Sequence, residues 1–317
     1  MLGAIIGDIC GSHYEFLHEK SDKGFTKPLF VSGRSSFTDD TVLTIATAAK
    51  LLGKFDNYRD AYLATYERFK NMDSNGGGSV DIGYGKKFHF WAESKGESGY
   101  SSLGNGAAMR VSPVAYFASS RDEVLAQAKE SAEVTHNSDE AVTSAQLVAL
   151  AIYLAINGES AEEIALQIAE RSKVLLGDSP ESNPYLHNYC IHDLHREYRF
   201  SALASESVPH AIFIALQASS FEEAIRMGLY IGGDTDTICA IAGSIAEARF
   251  GIPDDMLKLL SPLKTFAPDY AEIANEFTNE FTLEVVPSKP VALTHSRLIR
   301  WRLVDITPFA NSLVSFK

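Results

Sequence analysis

Cysteine is scarce in this sequence of 317 residues: Cys10, Cys190 and Cys239 lie far apart and form no Cys-x-x-Cys pair. That excludes a disulfide framework and points to a reducing compartment, read here as the cytoplasm. Positive charge is short as well, with 28 Lys and Arg against 41 Asp and Glu for a formal net charge of −13. An acidic chain repels phosphate overall, which excludes a broad nucleic-acid-binding face and leaves room only for a local basic pocket. No apolar run approaches the ~18 residues of a membrane span, so an integral membrane protein is excluded. The start, from Met1 to Asp8, is apolar but lacks a basic leader and soon meets an acid. It reads as a core segment, not a secretion signal. Strand and helix patterns do not alternate, which argues against a parallel sheet. Internal repeats, low-complexity stretches and Pro- or Ser-rich linkers are missing too.

What is present is helical. Apolar residues make up 45% and charged residues 22%, with a mean hydropathy of −0.05, enough to bury a core in a soluble chain. Apolar side chains recur at helical spacing over Thr38–Leu52, Asn57–Asn71, Arg121–Val134, Ser138–Ile156 and Ala161–Leu176. Pro253–Leu260 and Pro268–Phe281 read as further helices, each with a proline suited to the first turn. Ser160 with Glu163, and Ser220 with Glu223, read as capping boxes. The fold class is all-α, with one domain over residues 1–282 and an extension of unknown role over 283–317.

Three irregular regions interrupt the helices. Asp73–Ser79 carries three consecutive glycines, whose N–H groups can line an anion pocket, and precedes an aromatic stretch with Tyr84, Phe88, Phe90 and Trp91. Gly177–Tyr198 holds His187, Cys190, His192 and His195, in a spacing that fits no standard zinc motif. The tail has a short strand pattern at Leu283–Val286 and a basic aromatic patch from Arg297 to Arg302.

Two acidic stretches carry the chemistry. Gly232-Gly233-Asp234-Thr235-Asp236-Thr237 opens an apolar helical run, and so does Phe37-Thr38-Asp39-Asp40-Thr41. Taken singly, each is explained by capping, because Asp and Thr satisfy free N–H groups at a helix start. Taken together, two such clusters in opposite halves of the chain can face each other and clamp a cation. Oxygen-only donors suit a hard ion such as Mg²⁺, Mn²⁺ or Ca²⁺ rather than zinc.

These stretches resemble the ADP-ribosylglycohydrolase family, and the likeness spans most of the chain. Its parts run in order: Gly3-Ala4-Ile5-Ile6-Gly7-Asp8 with Gly11 and Glu15-Phe16, then Phe37–Thr41, Gly104-Asn105-Gly106-Ala107-Ala108-Met109-Arg110, Thr135-His136, and Gly232–Thr237. The resemblance implies a compact orthogonal multi-helix bundle with a dinuclear centre, Mg²⁺ or Mn²⁺, in a central cleft. It implies Thr38, Asp39, Asp40, Asp234, Asp236 and Thr237 as metal ligands, and Glu15 as the acid/base residue. Ser102, Gly104, Asn105, Gly106 and His136 are implied on the substrate. Asp8 is read as orienting its neighbours or capping the first helix rather than doing chemistry. The implied reaction releases ADP-ribose from an ADP-ribosylated protein, with ADP-ribosylarginine as the first choice. Another ADP-ribose conjugate and a noncatalytic binder are the alternatives, and the aromatic residues around Trp91 could stack the adenine of any such conjugate.

Overall fold

The computed structural model describes residues 1–15, 17, 24–72, 82–180 and 182–281. Fifteen α-helices are assigned among them. They are α1 (Leu2–Ser12), α2 (Asp39–Leu51), α3 (Tyr58–Phe69), α4 (Lys86–Glu93), α5 (Gly106–Met109), α6 (Ser112–Phe117), α7 (Arg121–Glu133) and α8 (Asp139–Ile156). The second half holds α9 (Ala161–Leu176), α10 (Ile191–Glu197), α11 (Ala204–Gln217), α12 (Phe221–Ile231), α13 (Thr235–Phe250), α14 (Ser261–Phe266) and α15 (Pro268–Phe281). Among the described residues there is no strand, only an isolated antiparallel bridge between Gly104 and Leu203. The all-α expectation holds. The glycine-rich stretch at 73–79, Phe16 and the tail from 283 lie outside the described residues.

Glycine spacing sets the centre of the molecule. Gly3, Gly7 and Gly11 recur every fourth residue, so they share one face of α1, and that face lies directly on α13. A Cβ at Gly3 would fall 2.3 Å from the Gly243 carbonyl oxygen, at Gly7 2.0 Å from that of Cys239, and at Gly11 2.2 Å from that of Thr235. The partners descend as α1 ascends, so the two helices are antiparallel. The end of α1 therefore meets the start of α13. On its other sides α13 is wrapped by α8, α11 and α12, and every residue from Thr235 to Ala248 is buried.

Helix starts follow the local chemistry. Asn57, Ser120, Ser138, Ser160 and Ser220 each accept a hydrogen bond from an N–H in the first turn, and acids crowd the same turns, where the helix dipole favours them. The capping box at Ser220 differs in one respect. The Glu223 carboxylate reaches back to the N–H and hydroxyl of Ser219, one residue before the cap.

Three elements depart from the sequence reading. Pro253–Leu260 is not an α-helix: a turn leads into a 3₁₀ segment at Leu257–Leu260, and α14 begins at Ser261, where Pro262 occupies the first turn. The aromatic stretch forms α4, and Trp91 is buried against Phe88 and Gly96. Its ring is closed to an adenine. The histidine-bearing region folds as a 3₁₀ turn at Pro184–Leu186 followed by α10. A fourth element qualifies the reading: α8 is long and apolar enough to cross a membrane by composition alone, yet it is enclosed by α5, α6, α7, α9, α11 and α13 as a core helix.

Candidate active site

The site forms where three chain segments meet. Beyond α1 the chain tightens, with the Tyr14 N–H donating to the Gly11 carbonyl at 2.7 Å, and presents half-buried Glu15. Antiparallel packing sets Glu15 beside the N-terminus of α13. Glu15, Asp234 and Asp236 each offer a carboxylate oxygen, and the three oxygens lie within 4.8 Å of one another.

The third segment, Thr38 to Thr41, is drawn in by Asp8 from the middle of α1. The buried Asp8 carboxylate accepts from the Thr38 N–H and hydroxyl, both at 2.8 Å, from the Thr41 N–H at 3.2 Å, and from the Thr41 hydroxyl. Asp8 thus organises the start of α2, the orienting part expected of it. Thr38 also caps α2 by accepting from the Asp40 N–H, and the Asp39 N–H donates to the Ile82 carbonyl at 2.6 Å. The two acid clusters then touch directly: the Thr237 hydroxyl donates to Asp40 Oδ2 at 3.2 Å.

So many carboxylates in one buried place raise each other's proton affinity. Burial, then the charge of Asp236, pushes Asp39, Asp40 and Asp234 well above the usual carboxylate range. Burial and Asp236 raise Asp8 to about 7. Burial, then Asp236, Asp234 and Asp39, raises Glu15 to about 10. Two carboxylate oxygens, Asp40 Oδ1 and Asp236 Oδ1, are buried with no hydrogen-bond partner among the described residues. A buried unpartnered carboxylate oxygen is costly, and no side-chain cation forms an ion pair with these acids among the described residues. An oxygen-rich donor set with surplus negative charge fits a hard divalent cation. Glu15 belongs to that set by distance.

A pH dependence follows for the protein held with a chelator. Asp8 and Glu15 have folded values raised above the ordinary 3.8 and 4.5, so the native state holds protons that the unfolded chain releases. Their contribution to stability is complete below about pH 4 and is lost as pH rises through about 7 for Asp8 and about 10 for Glu15. The melting temperature should fall from pH 5 to pH 9, and excess Mg²⁺ or Mn²⁺ should flatten that slope. A chelated protein that melts higher at pH 9 than at pH 5 would contradict the buried acid cluster.

Next to the carboxylates lies the Gly104–Gly106 loop. Its backbone is pinned to the segment before α11: the Asn105 N–H donates to the Ala202 carbonyl at 2.9 Å and the Ala204 N–H to the Leu103 carbonyl at 2.8 Å. The Asn105 amide donates to Asp234 Oδ2 at 2.6 Å and to the Ser207 hydroxyl at 2.9 Å, which ties the loop to the acid cluster. Ser102 Oγ accepts the Gly104 N–H at 3.1 Å. The His136 ring covers Gly106 so closely that a Cβ there would fall 2.9 Å from it. Ser102, Gly104, Asn105, Gly106 and His136 are therefore brought together on one side of the carboxylates.

Tyr198 and Ser207 belong to this neighbourhood, and neither was visible in the sequence. Tyr198 lays its ring against Gly233, where a Cβ would lie 2.4 Å from Cε1. Gly233 also has φ +83°, a conformation that leaves little choice but glycine. The Gly232-Gly233 pair was the one hint that something approaches there. The four histidine-loop residues do not converge on a metal. His187 Nε2 pairs with the Pro180 carbonyl, and His192 and His195 pair through Nδ1 with the hydroxyl and carbonyl of Tyr230. Instead, His187, Cys190 and Tyr198 help to line a cavity of about 770 Å³.

Comparison with known proteins adds the following. The sequence profile described as ADP-ribosylglycohydrolase matches residues 1–285. ADP-ribosylhydrolase ARH3 of Homo sapiens is 30% identical over 312 residues, covering 80% of this chain and 84% of its own. The ADP-ribosylarginine hydrolase Tri1 of Pseudomonas putida (strain GB-1) is 28% identical over 272 residues, covering 80% of this chain and 70% of its own. A solved structure described as an ADP-ribosylglycohydrolase-related protein complex superposes with a TM-score of 0.61, over 88% of this chain and 95% of that one. At 21% identity that is a likeness of fold.

Proposed function

The chain belongs to the ADP-ribosylglycohydrolase family and is a glycosidic-bond hydrolase, and from that premise we propose that it releases ADP-ribose from ADP-ribosylarginine on a cytoplasmic protein. The observation that carries this reading is the meeting of the two acid clusters, Thr237 on Asp40, with unpartnered carboxylate oxygens of Asp40 and Asp236 beside Glu15. Thr38, Asp39, Asp40, Asp234, Asp236 and Thr237 would hold two Mg²⁺ or Mn²⁺ ions. When bound, such ions neutralise the acids, polarise the ribose hydroxyls and lower the pKa of water.

The chain's own residues do the rest. Asn105, tied to Asp234, positions the Gly104–Gly106 loop, which with Ser102 and His136 receives the diphosphate and the adjoining ribose. Glu15 carries the proton. As the bond from the anomeric carbon to the guanidine nitrogen breaks, its electron pair goes to nitrogen, which takes the proton from Glu15. Water then adds to the oxocarbenium-like carbon and returns its proton to the Glu15 carboxylate, so the residue ends as it began. In the metal-free protein its own burial, then the charges of Asp236, Asp234 and Asp39, raise the proton affinity of Glu15. Arginine is favoured as acceptor because Tri1 carries that specificity in its name.

The test is release of ADP-ribose from an ADP-ribosylarginine protein and from an ADP-ribosylserine peptide, each with Mn²⁺ or Mg²⁺ and with chelator. Metal-dependent release from the arginine substrate alone is the expected result. Release from the serine peptide alone would move the acceptor, and release unaffected by chelator would remove the ions.

A further inference from the structure

Arg110 is among the most deeply buried side chains in the molecule, at 0% exposure. One of its terminal nitrogens donates to the Ser131 carbonyl at 3.1 Å and to the Thr135 hydroxyl at 2.6 Å, and its guanidinium lies 4.1 Å over the Tyr62 ring. Nε and the other terminal nitrogen have no hydrogen-bond partner among the described residues. A buried guanidinium left half satisfied is an expensive way to fill a core. Its contacts suggest what it is kept for.

The Thr135 hydroxyl has one proton. Arg110 can only donate to it, so the Thr135 oxygen is an acceptor there. Its remaining contact among the described residues is His136 Nδ1 at 2.7 Å. A hydroxyl that accepts from arginine and has one further neighbour keeps its own proton paired only by giving it to that neighbour. Nδ1 then accepts, and the imidazole proton sits on Nε2. That atom lies on the loop side of the ring: it would be 2.9 Å from a Cβ at Gly106 and 3.7 Å from one at Gly104. We propose that Thr135, held by Arg110, is a positioning residue that fixes His136 as a neutral imidazole with its Nε2–H aimed at the Gly104–Gly106 loop, where it donates to an oxygen of the bound diphosphate or ribose. The destination of that donation rests on the proposed function; the tautomer does not. Burial and the neighbouring Arg110 and Lys87 charges hold the ring well below the ordinary histidine range, in keeping with a neutral donor.

Long-range ¹H–¹⁵N correlation of the histidine-labelled full chain reads the tautomer directly. The expected result is a protonated Nε2 and a bare Nδ1 at His136, retained in Thr135→Ser and lost to a mixture in Thr135→Val, which has the same shape but no hydroxyl. Titration calorimetry with ADP-ribose should show affinity about tenfold weaker in Thr135→Val, restored in Thr135→Ser. The kcat on the ADP-ribosylated substrate should change less than KM, because the donor faces the loop rather than the breaking bond. A protonated Nδ1 in the natural protein, or a tautomer unmoved in a folded Thr135→Val, overturns the relay. The expected tautomers without any ADP-ribose binding would leave the relay standing and sink the proposed function instead.

Discussion

Glu15→Gln is expected to lower kcat by about 10² to 10⁴, the usual worth of a positioned proton carrier, while ADP-ribose affinity changes little. The substitution keeps the size of the side chain and removes its proton transfer. Its position makes the result informative. Glu15 is within ligand distance of Asp234 and Asp236, so it can act by moving a proton or by holding a cation. A metal titration of the variant separates the two. Unchanged metal affinity with the kcat loss assigns the proton; metal affinity weakened in step with kcat assigns the cation. A kcat within tenfold of the natural protein at saturating metal would remove Glu15 from the chemistry. The variant should also melt higher than the natural protein in chelator at neutral pH, since an amide needs no proton taken up on folding, as the raised Glu15 does.

Gly7→Val is expected to abolish folding. Its Cβ would arrive 2.0 Å from the Cys239 carbonyl oxygen and 2.8 Å from the Ala240 nitrogen. Both are backbone atoms of α13, so no rotamer change makes room. Helix α1 would have to lift from α13, withdrawing Asp8 from Thr38 and Thr41 and opening the core under Ile5, Ile6 and Ile9. Damage of that kind lies in the range above about 4 kcal/mol, a large part of the total stability of a single domain. Gly85→Ala is the matched control, because nothing lies within 4 Å of its added Cβ and it caps the exposed start of α4; it should cost no more than about 1 kcal/mol. Urea denaturation of both variants decides the matter. A Gly7→Val protein with the midpoint of the natural chain would show that α1 does not depend on this close approach.

What the sequence disclosed of all this depended on how local each signal was. Helix spacing and serine caps are set by neighbours three or four residues away, so most helices and the all-α class could be read directly. The two acid clusters were legible as chemistry because carboxylates and hydroxyls crowded at a helix start are a short pattern. That they meet was an inference from their pairing, and Thr237 on Asp40 supplies the contact. Glu15 had no local signal of its own: a single acid after a glycine-rich helix is ordinary, and the family resemblance alone marked it. Tyr198 and Ser207 were invisible because they reach the site from segments with no motif. Pro253–Leu260 misled because proline opens a plain turn as readily as a helix: the Met256 N–H bonds back to the Pro253 carbonyl, and the helical proline comes later, at Pro262. Trp91 misled for the opposite reason, since an aromatic run near a glycine loop serves a core as readily as a ligand.

The α1–α13 contact also has a consequence in time. A growing chain emits α1 more than two hundred residues before α13, so the glycine face has no partner over that interval. At about 5 to 20 residues per second, that wait is roughly ten to fifty seconds. During it, an apolar helix with three bare glycines and a carboxylate in its middle has no α13 to pack on, and Asp39 and Asp40 have no Asp234 or Asp236 to meet, because half of the acid cluster has not been made. Assembly of the centre is therefore a late event in the birth of this protein, and a ribosome stalled before residue 235 would hold a chain with neither its central helix pair nor its site.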